Sequence, residues 1–335
     1  MGAVRAALTG ASGLVGGNLA RELLRQGYAV RAIRRSAAST AHLDGEAIEW
    51  VPGELGDVAS LRASFAGADV VFHCAASVTL DPQPTPEVVR TNVAGTRNVI
   101  EAVRAAGVPR LVHCSSVVAV GLSENGLPCD ENARFNFAEH GLADGYTVTK
   151  RESEDLVRAA VAEGLDAVIV NPTFMLGPYD AKPSSGRLIV GIVQGQSPGY
   201  TTGANNFVDV RDVARGMILA WQKGRSGERY ILGGHNMPYK EIFERIARVA
   251  GVAPLTWSVP YPIAYVAGLL GDVQQWITGK EPLINTSSVR WGYCPTFQFT
   301  SAKAERELGY TYGPIEPAID DAITWFRAHG MLPTR

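Results

Sequence analysis

The chain has 335 residues, of which 46% are hydrophobic and 19% charged, with a formal net charge of −2. This composition supplies a large core and excludes a disordered chain. The near-neutral balance excludes a nucleic-acid binder, which would carry a basic domain; basic residues cluster only at Arg31, Arg34 and Arg35.

The length suits one large α/β unit or a main domain with a smaller partner. The four cysteines, Cys74, Cys114, Cys129 and Cys294, show no C-x-x-C spacing, so no metal site is expected. Cys74 and Cys114 fall in apolar runs and read as reduced core thiols of a cytoplasmic protein. The first apolar residues already form a strand and a glycine loop, so no export leader is expected. The longest apolar stretch, residues 260–270, is broken by Pro262 and Gly268 and is short of the about 20 residues a bilayer requires.

Along the first half, strand-like runs at 4–8, 29–33, 48–51, 69–73, 111–115 and 167–170 alternate with helical patterns at 15–26, 87–106 and 147–163. The alternation predicts an α/β fold with parallel strands joined by crossover helices. Val70, Val71 and Phe72 are apolar in succession, as strands covered on both faces are. After Pro172 the pattern loosens. A strand is expected at 207–210, a helix at 211–222 and a strand at 230–232, with the whole stretch 207–232 returning to the main sheet. Helices are expected at 239–250, 263–278, 302–308 and 316–329. Two units follow: a dinucleotide domain of residues 1–171 and 207–233, and a substrate lobe of 172–206 and 234–335.

The first strand runs into Thr9-Gly10-Ala11-Ser12-Gly13-Leu14-Val15-Gly16 and then a helix. Glycines at Gly10, Gly13 and Gly16 suit a tight turn, close approach to a pyrophosphate and close helix–strand packing. The helix N-terminus offers unbonded N–H groups to the phosphates. The spacing is G-x-x-G-x-x-G rather than G-x-G-x-x-G, but it stands in the required strand–loop–helix setting. The second strand ends in Arg34-Arg35-Ser36, with no acid to hold a ribose 2′-hydroxyl. Guanidinium groups suit a 2′-phosphate, so NADP(H) is expected over NAD(H).

Tyr146 and Lys150 stand four apart at the start of a helical pattern, on one face. Free tyrosine has a pKa of about 10. A neighbouring ammonium is expected to lower it, making Tyr146 an acid/base for a substrate oxygen. Residues 111–114 lead into Ser115 and Ser116 at a strand end, where a hydroxyl can hold that oxygen.

These motifs together resemble an extended short-chain dehydrogenase/reductase. Residues 9–16 match that family's glycine loop, Tyr146 and Lys150 its catalytic pair, and Ser115-Ser116 its strand-end serine. His73-Cys74-Ala75-Ala76 resembles its loop along the cofactor, Thr91-Asn92-Val93-Ala94-Gly95-Thr96 its helix motif, and Asn171-Pro172-Thr173 its nicotinamide loop. The resemblance implies a Rossmann-type doubly wound parallel sheet with a smaller C-terminal substrate lobe. It implies Ser116, Tyr146 and Lys150 as catalytic residues. Implied cofactor contacts are Gly10, Ser12, Gly13, Leu14, Val15, Gly16, Arg34, Arg35, Ser36, Glu54, Leu55, Ala75, Ala76, Ser77, Ser115, Tyr146, Lys150, Pro172 and Thr173. Glu54 stands where the family usually has Asp. It also implies a homodimer through the helices at 87–106 and 147–163.

Within the family, Val30-Arg31-Ala32-Ile33-Arg34-Arg35 resembles dihydroflavonol 4-reductase-like enzymes, and the tail resembles proteins grouped as hopanoid-associated sugar epimerases. Val117-Val118 follows Ser116 where sugar dehydratases carry an acidic pair, so dehydration is not expected. Related sugar-nucleotide epimerases place an arginine just before the strand at 207–210, where this chain has Asn205. The expected activity is hydride transfer between NADP(H) and a carbonyl or alcohol of a small or medium organic substrate; the alternative is a sugar-nucleotide epimerase. His73 and His113 read as satisfied core histidines, Asp212 as a helix-start residue, and Trp276, Trp291 and Trp325 as core.

Overall fold

The structure is a computed structural model that describes residues 4–35, 40–79, 81–279, 282 and 284–333. Seven strands, β1 Arg5–Thr9, β2 Ala29–Arg34, β3 Ile48–Pro52, β4 Val70–His73, β5 Leu111–Cys114, β6 Ala167–Pro172 and β9 Arg229–Leu232, form one sheet in the order β3-β2-β1-β4-β5-β6-β9. Every pairing in it is parallel. A second sheet joins β7 Phe174–Leu176, β8 Ala204–Asp209 and β10 His235–Pro238 in the order β10-β8-β7.

Side-chain alternation along the strands feeds two cores. Ala6, Leu8, Val70, Phe72, Val112 and Val168 face helices α1 Leu14–Arg25 and α7 Val210–Lys223. Ala7, Val71, Leu111 and Ile169 face α2 Val58–Phe65, α4 Gly95–Ala106 and α5 Gly145–Ala162. α4 is entered through a short turn, α3 Pro86–Val88, and a π-helical stretch, Val89–Ala94. The strand order reverses direction at β1, which opens a crevice above the ends of β1 and β4.

Further helices are α6 Arg187–Val193, α8 Tyr239–Ala250, α9 Tyr261–Thr278, α10 Thr286–Gly292, α11 Ala302–Leu308 and α12 Glu316–Ala328; α11 packs Ala304 and Leu308 into the first core with α7. Leu176, Phe207, Ile242, Ile246, Ile319 and Phe326 form a separate core beside the second sheet, with α6, α8 and α12. Among the described residues no helix is long and apolar enough to cross a membrane.

The structure corrects three expectations. β8 does not return to the main sheet: it pairs with β7 and β10, and only β9 rejoins the parallel sheet. All six residues of β8 are buried, Asn205, Asn206 and Asp209 among them, and such burial fits either sheet equally. Trp276 is not core but 86% exposed. The buried positions of α9 are Gly268 and Gly271. A Cβ at Gly271 would strike the carbonyl of Ile284, and one at Gly268 would lie 3.0 Å from the Thr286 nitrogen. The helix therefore seats its glycines on the chain and turns Val266, Leu270, Val273, Trp276 and Ile277 outward. His113, finally, is buried, yet neither ring nitrogen has a hydrogen-bond partner among the described residues. His73 does behave as expected, meeting Thr9 Oγ1 at 2.7 Å and Thr96 Oγ1 at 3.1 Å.

Candidate active site

Gly10 takes a φ of +77°, a left-handed turn that glycine enters without strain. A Cβ there would lie 2.5 Å from the Ala75 nitrogen, and one at Gly16 would strike the Gly10 carbonyl. The loop thus crosses the mouth of the crevice at backbone distance. Gly13 is the N-cap of α1 and offers no side-chain cap, and no acid stands in the first turn. Ser12 is partly exposed, and Leu14, Val15 and Gly16 open the helix. The N–H groups of this end suit a phosphate.

At the end of β2, Arg34 and Arg35 are exposed, and neither pairs with a described carboxylate. Arg34 lies 5.8 Å from the Trp50 ring centroid. Arg31 is committed elsewhere, 3.0 Å from Glu49. Ser36 lies outside the described residues. After β3, Glu54 is exposed, while the Leu55 carbonyl accepts from Asn98 at 2.7 Å. Beyond β4, Ala75 N donates to Thr9 Oγ1 at 3.3 Å, and Ala76 is exposed. Ser77 exchanges two hydrogen bonds with the Asn92 amide, at 2.7 and 2.9 Å, and Asn92 also donates to Thr149 at 3.1 Å. Asn92 thereby ties the loop after β4 to α5.

Asp144 caps α5, accepting from Thr147 N at 2.8 Å, and holds Trp291 Nε1 at 2.8 Å. Gly145 is required because a Cβ would lie 2.7 Å from the Gln83 carbonyl. One turn of helix then brings Tyr146 and Lys150 to the end of β5. Lys150 is buried, and its ammonium donates to the Cys114 carbonyl at 2.8 Å. Tyr146 is partly exposed, near the Ser116 hydroxyl, which accepts from Val118 N at 3.4 Å. Ser116 starts a short 3-10 turn. Ser115 points elsewhere: its hydroxyl donates to the buried Glu154 carboxylate at 2.8 Å. Pro172 and Thr173 are buried at the end of β6, and Thr173 Oγ1 has no partner among the described residues.

The electrostatics differ from expectation. Burial pushes the Tyr146 phenol up rather than down, and the nearby Ser116 hydroxyl opposes this only in part. Burial also lowers Lys150, while the nearby Cys114, Glu154 and Cys74 push it back up. His73 is held at about 3 by burial and by Lys150. The site thus holds a protonated phenol one helical turn from a desolvated ammonium.

Sequence reading did not single out Asp144, Glu154 or Arg229. A signal existed for Glu154, which stands four residues after Lys150 on the face that already carries Tyr146.

A parallel sheet, a glycine cradle at its switch point and a Tyr–Lys pair at the next strand ends define a dinucleotide-dependent enzyme of the extended short-chain dehydrogenase/reductase type. The profile of the NAD-dependent epimerase/dehydratase family matches residues 6–233, and the chain belongs to that family. It is 34% identical to a putative dihydroflavonol 4-reductase of Synechocystis, over 98% of this chain and 96% of that one. It is also 34% identical to sterol demethylase protein B of Methylococcus capsulatus, over 97% and 99%. The crystal structure of gox2253 superimposes with a TM-score of 0.85 at 34% identity, covering 99% of this chain and 100% of that one.

The residues fit a nicotinamide dinucleotide on two observations. Gly13, exposed at the start of α1, puts no side chain over the free N–H groups where a pyrophosphate would lie. Thr173 presents a buried hydroxyl without a partner at the strand end beside Ser116.

Proposed function

We propose that the chain is an NADP(H)-dependent reductase of a carbonyl on a small or medium organic substrate. The observation that carries the reading is the buried Lys150 ammonium on the Cys114 carbonyl at the end of β5, one turn of α5 from Tyr146 and next to the strand end that carries Ser116. The glycine loop, Leu55, Ala75–Ser77 and Pro172-Thr173 would hold the cofactor, and Arg34 and Arg35 its 2′-phosphate. The bound nicotinamide supplies or accepts the hydride. Tyr146, kept protonated by burial, hands its proton to the carbonyl oxygen as that oxygen gains charge. Ser116 holds the same oxygen in line, and Lys150 places positive charge beside the phenolate that remains.

The epimerase alternative is disfavoured by Asn205. It is buried, donates to the Tyr239 hydroxyl at 3.1 Å and accepts from the Asn206 backbone at 2.8 Å, so it offers no charge to a diphosphate. Arg211 is held by Asp209 and Asp321. The names of the reductase and sterol demethylase relatives support a non-nucleotide substrate. The test pairs two assays: NADPH oxidation with ketones and aldehydes, and inversion of UDP- and GDP-sugars. Carbonyl reduction is the expected result; sugar inversion without net cofactor consumption, and no reduction, would replace this reading with the epimerase.

The same proposal includes a cytoplasmic homodimer joined through α4 and α5. Light scattering at micromolar concentration is expected to give twice the chain mass, and a monomer mass would refute the dimer.

A further inference from the structure

Glu154 is fully buried in α5, one turn beyond Lys150. Its Oε2 accepts from Ser115 Oγ at 2.8 Å and from Asn171 Nδ2 at 2.8 Å. The same Asn171 amide donates to the Ser116 carbonyl at 2.9 Å. Its Oε1 receives Arg229 Nη1 at 3.2 Å and Arg158 Nη2 at 3.1 Å. Arg229 is itself buried, and its Nε donates to the Glu131 carbonyl at 2.7 Å. One carboxylate thus grips β5 beside Ser116, β6 beside Pro172 and Thr173, and β9 through Arg229.

We propose that Glu154 is the positioning residue of the active site: its carboxylate fixes the ends of β5 and β6 against α5 and supplies the negative charge that keeps the Lys150 ammonium in place. This rests on the acid/base reading of Tyr146 and Lys150. A buried carboxylate is costly unless all its lone pairs are used, and four donors from α5, β5, β6 and β9 use them here. A carboxylate whose only task was to neutralise Arg229 would have no need to accept from both strand ends.

The charge relation follows from what surrounds Lys150. His73 and Cys74 face it from β4 and the residue after it, His113 and Cys114 from β5, and Glu154 from its own helix, where Tyr146 stands one turn before it. Both histidines are held neutral by burial and have their pKa values lowered further by Lys150. Burial drives Lys150 toward the neutral amine, and Cys114, then Glu154 and Cys74, drive it back; of the three, Glu154 is the carboxylate. Removing the Glu154 charge therefore lowers the pH at which Lys150 loses its proton.

The test uses the full chain with lysine labelled at its ε-carbon, the Lys150 signal being assigned by its absence in Lys150→Met. In Glu154→Gln the NMR titration midpoint of Lys150 is expected to fall by about half a unit or more. Turnover is expected to fall roughly ten-fold or more, with KM for the carbonyl substrate little changed. Because Gln leaves the Arg229 cation uncompensated, Glu154→Gln/Arg229→Met is measured beside it. Its expected result is recovered thermal stability with the lowered midpoint and slow turnover retained. A folded variant whose Lys150 midpoint equals the parent's overturns the proposal. Tyr146→Phe is assayed in parallel: normal turnover there overturns the acid/base reading alone, and the Lys150 midpoint still decides the role of Glu154.

Discussion

Replacing Tyr146 by Phe is expected to lower turnover by about a hundred- to ten-thousand-fold while leaving the fold and NADPH affinity intact, because one hydroxyl is lost and the ring is kept. The ring stands at the start of α5, whose cap comes from Asp144 and not from Tyr146. Its pKa is raised by burial, so the parent enzyme carries the transferable proton throughout the neutral range. The pH dependence of reduction follows. Lys150 is the ammonium lowered by burial, so the alkaline limb is expected below the usual lysine value of about 10.4. Rates should hold on the acidic side of that limb, where both groups stay protonated, and fall as Lys150 becomes neutral. Steady-state kinetics between neutral and alkaline pH checks both statements. A Tyr146→Phe enzyme with parental turnover would mean that another group gives the proton.

Arg35→Asp is expected to reverse or erase the preference for NADPH over NADH, with NADPH affinity falling roughly ten-fold or more. The second strand ends in exposed guanidinium groups, and Glu49 on the neighbouring strand is engaged with Arg31. A 2′-phosphate would find positive charge there, whereas the introduced aspartate would repel it and accept from a 2′-hydroxyl. Fluorescence titration with both coenzymes decides; equal affinities in the parent protein would sink the assignment.

The parallel sheet was legible because strands such as β4 and β5 are apolar at nearly every position, and the turns between elements carry glycine. The helices at 239–250 and 302–308 coincide with α8 and α11. The second sheet was not legible. β7 spans three residues and β10 four, too few to show alternation, and β10 includes Asn236 and Pro238. The motifs of the site are local, so Tyr146, Lys150 and Ser116 could be read from spacing and order. Glu154 could not be ranked the same way, since a lone glutamate in a helix reads as a solvated face until β5, β6 and β9 close over it. The orphaned ring of His113 is likewise a property of packing that no spacing announces.

Only Thr173 separates β6 from β7, only Gly233 and Gly234 separate β9 from β10, and α7 follows β8 without a break. The chain thus passes between its two sheets twice with almost no slack, and a third time by way of α7. Movement of one sheet against the other has to turn on these few residues, and the paired glycines Gly233 and Gly234 have the freest backbone torsions among them. The joint beneath the second sheet therefore coincides with the strand end that carries Pro172 and Thr173.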